Sequence, residues 1–275
     1  MEARTSGGPG RVVSRAHGSD LYPGRHRPPH IPHRARTLRG LDGLFPDSAA
    51  GAAYVASAFP WFDRSTLERM GVADPGLRSG PSRPGGFAVV SCSRIVPVKR
   101  LSLIADAVAS AARQRPGVEF TWRHFGDGDA NLRRELEEHT RRAFPSNARV
   151  ALQGYESPAA LMSAYSTLPA DVFVNASSSE GTPVSLMEAA SAAIPLVATA
   201  VGGNPEIVTT DSGILVSANP TPDELGDALV RLVDDPSFGR RLAEGSRAIW
   251  RDRFDAACNY SAFSARLRAL VDSPG

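Results

Sequence analysis

"DVFVNASSSEGTPVSLMEAASAAIPLVATAVGGNPEI", residues 171–207, decides how this chain folds. It opens on a short apolar run at 171–177 and closes on a second one, "IPLVATA", at 194–200. Neither run alternates apolar with polar residues, so each reads as a strand buried on both faces. Between them, Thr182 is the expected N-cap and Pro183 the first helical residue, where a missing N–H costs nothing. Strand, helix and strand in that order make a right-handed crossover between parallel neighbours.

The same grammar extends in both directions. "GFAVVSCS" (86–93), "VEFTWRHFG" (118–126), "RVALQG" (149–154) and "GILVS" (213–217) are four more buried strands. Leu101, Ile104, Val108 and Ala111 recur at helical spacing, as do Leu161, Ala164 and Tyr165, and then Leu225, Ala228, Leu229 and Leu232. Two further helices are expected at about 237–253 and 256–271. The fold class is therefore α/β, a doubly wound parallel sheet spanning 81–254, and residues 255–275 are a terminal helix packing back towards the amino-terminal part. Residues 1–80 offer only "GRVVSRAHGSD" as a strand with its exit loop, "LDGLFPDSAAGAAYVASAF" as a strand, turn and helix, and the Pro/Gly linker "VADPGLRSGPSRPGG". Two strands do not complete a doubly wound unit, so this part is expected to be a fragment of a second domain.

Charge is distributed unevenly. The 275 residues carry a formal +2, yet residues 1–41 hold eight basic and two acidic side chains, which leaves 23 basic against 27 acidic in the remainder. "RHRPPHIPHRARTLR" (25–39) is the one basic run. It suits an anionic lipid surface or a phosphate-bearing acceptor, and a solvated loop is the plainer reading. Cys92 and Cys258 form neither a disulfide framework nor a metal motif, which fits a reducing compartment. The start, "MEARTSGGPG", has no apolar signal core, and no stretch reaches the roughly 18 apolar residues of a membrane span. The expected location is cytoplasmic.

Ligands of a doubly wound sheet bind beyond the carboxyl ends of its strands. "SSSEGTP" lies at such an end and opens a helix, whose free amides and positive dipole end attract an anion, with Gly181 allowing close approach. Glu180 and Glu188 flank that anion site and suit hydroxyl groups, so together they fit a ligand with a phosphate centre and polyol ends. Two ordinary surface glutamates are the alternative. Arg94 and Lys99, in the loop after the 86–93 strand, could neutralise a diphosphate. Gly126 and Gly128 follow the next strand, and Gly202 and Gly203 the fifth.

In this order and spacing, "SRIVPVKR", "HFGDGD", "EGTPVSLME" and "PLVATAVGGNPEI" resemble the carboxyl-terminal half of the family 4 retaining glycosyltransferases of the GT-B fold. The resemblance covers about residues 86–254 and implies a Rossmann-like nucleotide-sugar domain beside an incomplete second Rossmann-like domain. It implies that Arg94 and Lys99 meet the donor diphosphate, that Glu188 holds the ribose, and that Gly126 and the backbone of Gly181, Thr182 and Pro183 border the donor. Glu180 and His17 become the catalytic-centre residues, Glu180 orienting the donor sugar and His17 lying in the acceptor cleft of "RAHGSDLY". The implied partners are a nucleoside diphosphate sugar and a saccharide or lipid-linked acceptor, without metal, cofactor or nucleic acid, and with peripheral contact at the inner membrane face through 25–39. A shortened nucleotide-sugar-binding remnant or partner subunit is the alternative, because most of the first domain is missing. Ser93, Arg100 and Ala193 stand where the family commonly has glycine.

Overall fold

The computed structural model describes residues 34–272 and the backbone of 12–14. In the amino-terminal part β1 (Val12–Ser14) pairs in parallel with β2 (Leu41–Leu44), accompanied by α1 (Arg34–Arg39) and α2 (Ala49–Ala58). The main unit then runs β3 (Gly86–Cys92), α3 (Leu101–Gln114), β4 (Glu119–Phe125), α4 (Ala130–Ala143), β5 (Ala148–Gly154), α5 (Pro158–Thr167), β6 (Val172–Asn175), α6 (Val184–Ser191), β7 (Leu196–Thr199), α7 (Asn204–Ile207) and β8 (Gly213–Val216). It closes with α8 (Pro222–Asp234), α9 (Pro236–Arg253) and α10 (Ala256–Asp272).

The six strands predicted from the apolar runs are the six strands of one parallel sheet, ordered β5-β4-β3-β6-β7-β8. The order reverses between β3 and β6, and there the loops leaving the two strands part and leave a crevice. Each of the four inner strands, β4, β3, β6 and β7, feeds two cores because its side chains alternate, whereas the edge strands β5 and β8 pack only against the core under α3 and α8. Val89, Trp122, Val172, Val174 and Val197 face α3 and α8, whereas Val90, Phe173, Leu196 and Ala198 face α5, α6 and α9. Burial on both sides is why the inner strands read as unbroken apolar runs, while β5, expected as a buried strand, is a half-exposed edge strand with no fully buried residue. Phe173 and Trp122 are wholly inaccessible, and truncating either would cost about 3–5 kcal/mol.

Three features depart from the sequence reading. Helix α4 was not anticipated, because its strongly charged sequence buries only Leu136 and Thr140; Asp129 caps it by accepting from Asn131 N at 2.8 Å. The segment 72–86 is no free linker. Ser79 N donates to Ala192 O, Ala170 N to Gly80 O, Ser82 N to Asp171 Oδ1, and Asp74 pairs with Arg247, so it is bonded along the base of the sheet. Residues 34–39, the end of the basic run, are helical; 25–33 lie outside the described residues.

Helix α10 crosses back over the amino-terminal part. Phe263 meets Phe45 edge to face at 5.2 Å, Arg266 pairs with Glu68, and Tyr260 Oη donates to Gly71 O at 3.1 Å.

Candidate active site at the strand-order reversal

The loop after β6 carries Glu180, and its carboxylate is 8% exposed. One oxygen, Oε1, accepts three hydrogen bonds: from Lys99 Nζ at 2.6 Å, Ser177 Oγ at 2.6 Å and Asn175 Nδ2 at 3.0 Å. Asn175 is itself oriented by Ser177 N, which donates to its Oδ1 at 3.0 Å. A charge this deep is tolerated because a cation and two neutral donors replace water. Asn175 and Ser177 were not singled out in the sequence; both belong to a strand end that reads as apolar, and only contact reveals them.

The loop's backbone rests on a pedestal. Gly202 has φ +52, and a Cβ there would lie 1.9 Å from Glu180 O; the next amide, Gly203 N, donates to Gly181 O at 2.8 Å. The glycine pair after β7 therefore holds the loop in position. Gly126 behaves alike after β4: at φ +120, an added Cβ would sit 1.9 Å from Ser93 O, in the loop that presents Arg94. Beneath that loop, Trp122 Nε1 donates to Ser91 Oγ at 2.9 Å, which lies 2.8 Å from His124 Nδ1. Burial takes the His124 pKa down to about 4, so this imidazole stays neutral and structural near pH 7.

Helix α6 begins one residue later than its sequence suggests. Pro183 is its cap and offers no side-chain hydrogen bond, while Thr182 Oγ1 turns away to donate to Asp47 O at 3.1 Å in the amino-terminal part. The expected Thr182 cap is thus corrected, since a tertiary acceptor outcompetes the helix amides. Because no side chain caps α6, its first-turn amides at Val184 and Ser185 remain open to an anion. From the facing loop, Lys99 ends a short 3₁₀ turn (Pro97–Lys99), and Arg94 is exposed.

Glu188 differs from Glu180 in its surroundings. It is half-buried on α6, no described side chain donates to it, and burial raises its pKa to about 7. Two neighbours feel the same apolar setting. Burial, and after it the nearby Glu188 charge, pushes the Cys92 thiol up to about 12; burial, and after it Cys92 and then Glu188, pushes the Tyr165 hydroxyl well above its ordinary value.

Two backbone strains fall where the sequence lacks the family's glycines. Arg100 adopts φ 48 and Ala193 φ 58, the only non-glycine residues with positive φ among those described. Arg100 offsets the strain with its guanidinium, donating to Ala176 O at 2.6 Å, Ser177 O at 2.7 Å, Ala218 O at 2.9 Å and Asn219 Oδ1 at 3.2 Å. It clasps the loops after β6 and β8 beside Lys99. His17 lies outside the described residues, and among the described residues no three His, Cys, Asp or Glu side chains gather as a metal site.

A parallel sheet with this strand order and a crevice at its reversal is a Rossmann-like fold matching GT-B glycosyltransferase structures. Anabaena HepE, crystallised with UDP and glucose, superposes with a TM-score of 0.75 at 20% identity, over 94% of this chain and 71% of that one. Residues 86–235, more than half of the chain, match the family described as glycosyl transferases group 1, and the chain belongs to that family. Among curated proteins it is 27% identical over 212 residues to a GDP-mannose-dependent monoacylated alpha-(1-6)-phosphatidylinositol monomannoside mannosyltransferase of Corynebacterium glutamicum, covering 75% of this chain and 54% of the relative. It is 31% identical over 147 residues to one component of the phosphatidylinositol N-acetylglucosaminyltransferase of Arabidopsis thaliana, covering 54% of this chain and 31% of the relative. The chain spans at most about half the length of these curated relatives.

Proposed function

We propose that this chain is the donor-binding part of a family 4 retaining glycosyltransferase, moving a hexosyl group from a nucleoside diphosphate sugar to a saccharide or lipid-linked acceptor. The observation that carries the reading is the pair of carboxylates around the open amides of α6, one held through a single oxygen by three donors and one with no side-chain donor among the described residues. In this reading Glu188 accepts the ribose hydroxyls, and its ionised form is favoured by them. Arg94, Lys99 and the α6 amides meet the diphosphate, so charge developing on the leaving group is stabilised by donors already in place. Glu180, held by Asn175 and Ser177, turns its second oxygen to the donor sugar hydroxyls; Lys99 bridges its other oxygen to the phosphates. His17 belongs to the acceptor side. No step needs a metal ion or cofactor, and the work is cytoplasmic, consistent with two free cysteines.

Saturation-transfer NMR with GDP-mannose, UDP-glucose and UDP-N-acetylglucosamine tests donor binding, with a chelator present and absent. Glu180→Gln should weaken binding of the intact donor and leave nucleoside diphosphate affinity nearly unchanged. Equal losses for both ligands would move Glu180 off the sugar, and no binding of any nucleotide would end the reading. The anomeric configuration of product formed with a saccharide acceptor decides retention.

A further inference from the structure

Arg100 holds a backbone conformation that residues with a side chain rarely adopt. At φ 48 and ψ 46 it joins the 3₁₀ turn ending on Lys99 to the start of α3, where glycine would take the same turn without strain. Strain of this kind persists only where the surroundings over-determine it. Here the guanidinium does so. Its Nε donates to Ala176 O at 2.6 Å and Nη2 to Ser177 O at 2.7 Å, so the planar fork spans two successive carbonyls of the loop after β6. Its other bonds go to Ala218 O at 2.9 Å and Asn219 Oδ1 at 3.2 Å, in the loop after β8. That second loop is itself fixed, because Ser217 N and Oγ donate to the two oxygens of Glu224, in the first turn of α8, at 2.7 and 2.8 Å.

Ser177 is where this network meets the donor carboxylate. It is 1% exposed, and each of its polar groups is bonded. Its N–H donates to Asn175 Oδ1, its hydroxyl to Glu180 Oε1, and its carbonyl accepts from both Arg100 and Thr199 Oγ1, the latter at 2.6 Å. Two donors fill the two lone pairs of that carbonyl, so Ser177 cannot turn without breaking a bond to Glu180 or to Arg100. Other bonds would still join these loops if Arg100 were absent: Ser178 N donates to Val98 O at 2.9 Å, and Lys99 reaches Glu180. What Arg100 adds is orientation, and a binding constellation tolerates an error of only about 0.5 Å.

We propose that Arg100 is a positioning residue for the donor sugar: acting through Ser177, it sets the direction in which Glu180 presents its second oxygen. The inference rests on the glycosyltransferase reading and extends it to a side chain whose own hydrogen bonds all go to neighbouring loops.

The test measures, by calorimetry on the chain, the affinities of GDP-mannose against GDP and of UDP-glucose against UDP. Arg100→Gly keeps the turn, because glycine fits φ 48, and removes only the fork. It should weaken binding of the nucleotide sugar about tenfold, in the range of coupling inside one hydrogen-bond network, and leave the matching nucleoside diphosphate within about twofold of the parent. Arg100→Lys, a point charge without a fork, should lie between the two, and it carries the same comparison if thermal unfolding shows Arg100→Gly to be unfolded at the assay temperature. Glu180→Ala removes the group that Arg100 is proposed to position, so the double variant should lose no more donor affinity than Glu180→Ala alone. Guanidinium chloride at millimolar concentration, unlike sodium chloride, should restore part of the Arg100→Gly loss. Equal losses for sugar and diphosphate, additive losses in the double variant, or parent-like donor affinity in Arg100→Gly would each overturn the inference and leave the transferase reading standing. A parent chain that binds none of these nucleotides would remove the reading and the inference together.

Discussion

Glu180 and Glu188 are eight residues apart and belong to one loop and helix, yet the protein treats them oppositely. The loop region surrounds Glu180 with Lys99, Ser177 and Asn175 and supports its backbone from below with Gly202. The helix region leaves Glu188 half-buried with no side-chain donor among the described residues, at a pKa of about 7. Energy already gained in folding makes the first carboxylate rigid. The second carries a desolvation cost that a ligand's hydroxyls would relieve, so stability is given up where binding is to be gained.

The largest blow to this contrast is Gly202→Ala. A methyl group would collide with Glu180 O, and alanine is strained at φ +52, so about 4 kcal/mol of stability should be lost in urea denaturation. The sugar-dependent part of donor affinity should go with it. Wild-type stability for this variant would mean that the loop is not seated on Gly202.

Removing the cation alone is the next test. Lys99→Met leaves Glu180 buried against two neutral donors and should cost about 3 kcal/mol, because an orphaned buried charge is worse than no pair. Thermal unfolding checks it.

Glu188→Gln should do the reverse. In the folded chain Glu188 holds its proton up to about pH 7, above its value in the unfolded chain, so between about pH 4.5 and 7 the folded state binds more protons and stability falls as pH rises. The variant should therefore be more stable than the parent at pH 8, by about 1–3 kcal/mol, and gain little at pH 4. Nucleotide affinity in the parent should rise about tenfold from pH 6 to pH 8 as the carboxylate ionises, and this dependence should vanish in the variant. A flat titration profile by calorimetry would remove Glu188 from the ribose.

The smallest effect lies at the far end of α6. Ala193→Gly relieves a left-handed backbone at φ 58 and should stabilise by about 0.5–1 kcal/mol without touching nucleotide affinity, separating backbone strain from the carboxylate effects.

Much of this was legible in the chain. Apolar runs named all six strands because the inner strands are buried on both faces and the edge strands pack on one, and Glu180, Arg94 and Lys99 were marked by their places after strand ends, Glu188 by its place in the helix that follows. Helix α4 escaped because it is strongly charged and carries only two large apolar residues, Leu132 and Leu136, too few to stand out in the chain. Thr182 was misread because a cap residue and a residue bonded to a distant carbonyl look identical in sequence. The glycines at 126 and 202 were visible, but their purpose, the close passage of another backbone, was not.

What the sequence determined by itself is the alternation of buried strand and helix, and hence a parallel sheet whose loops share one edge: that information is local and repeats every few residues. Only tertiary structure decided that Lys99, 81 positions before Glu180, would neutralise it, that Asn175 and Ser177 would orient it, and that Glu188 would have no side-chain donor among the described residues. Those outcomes depend on which loops meet where the strand order reverses, and a carboxylate's environment is set by neighbours in space, not by neighbours in the chain.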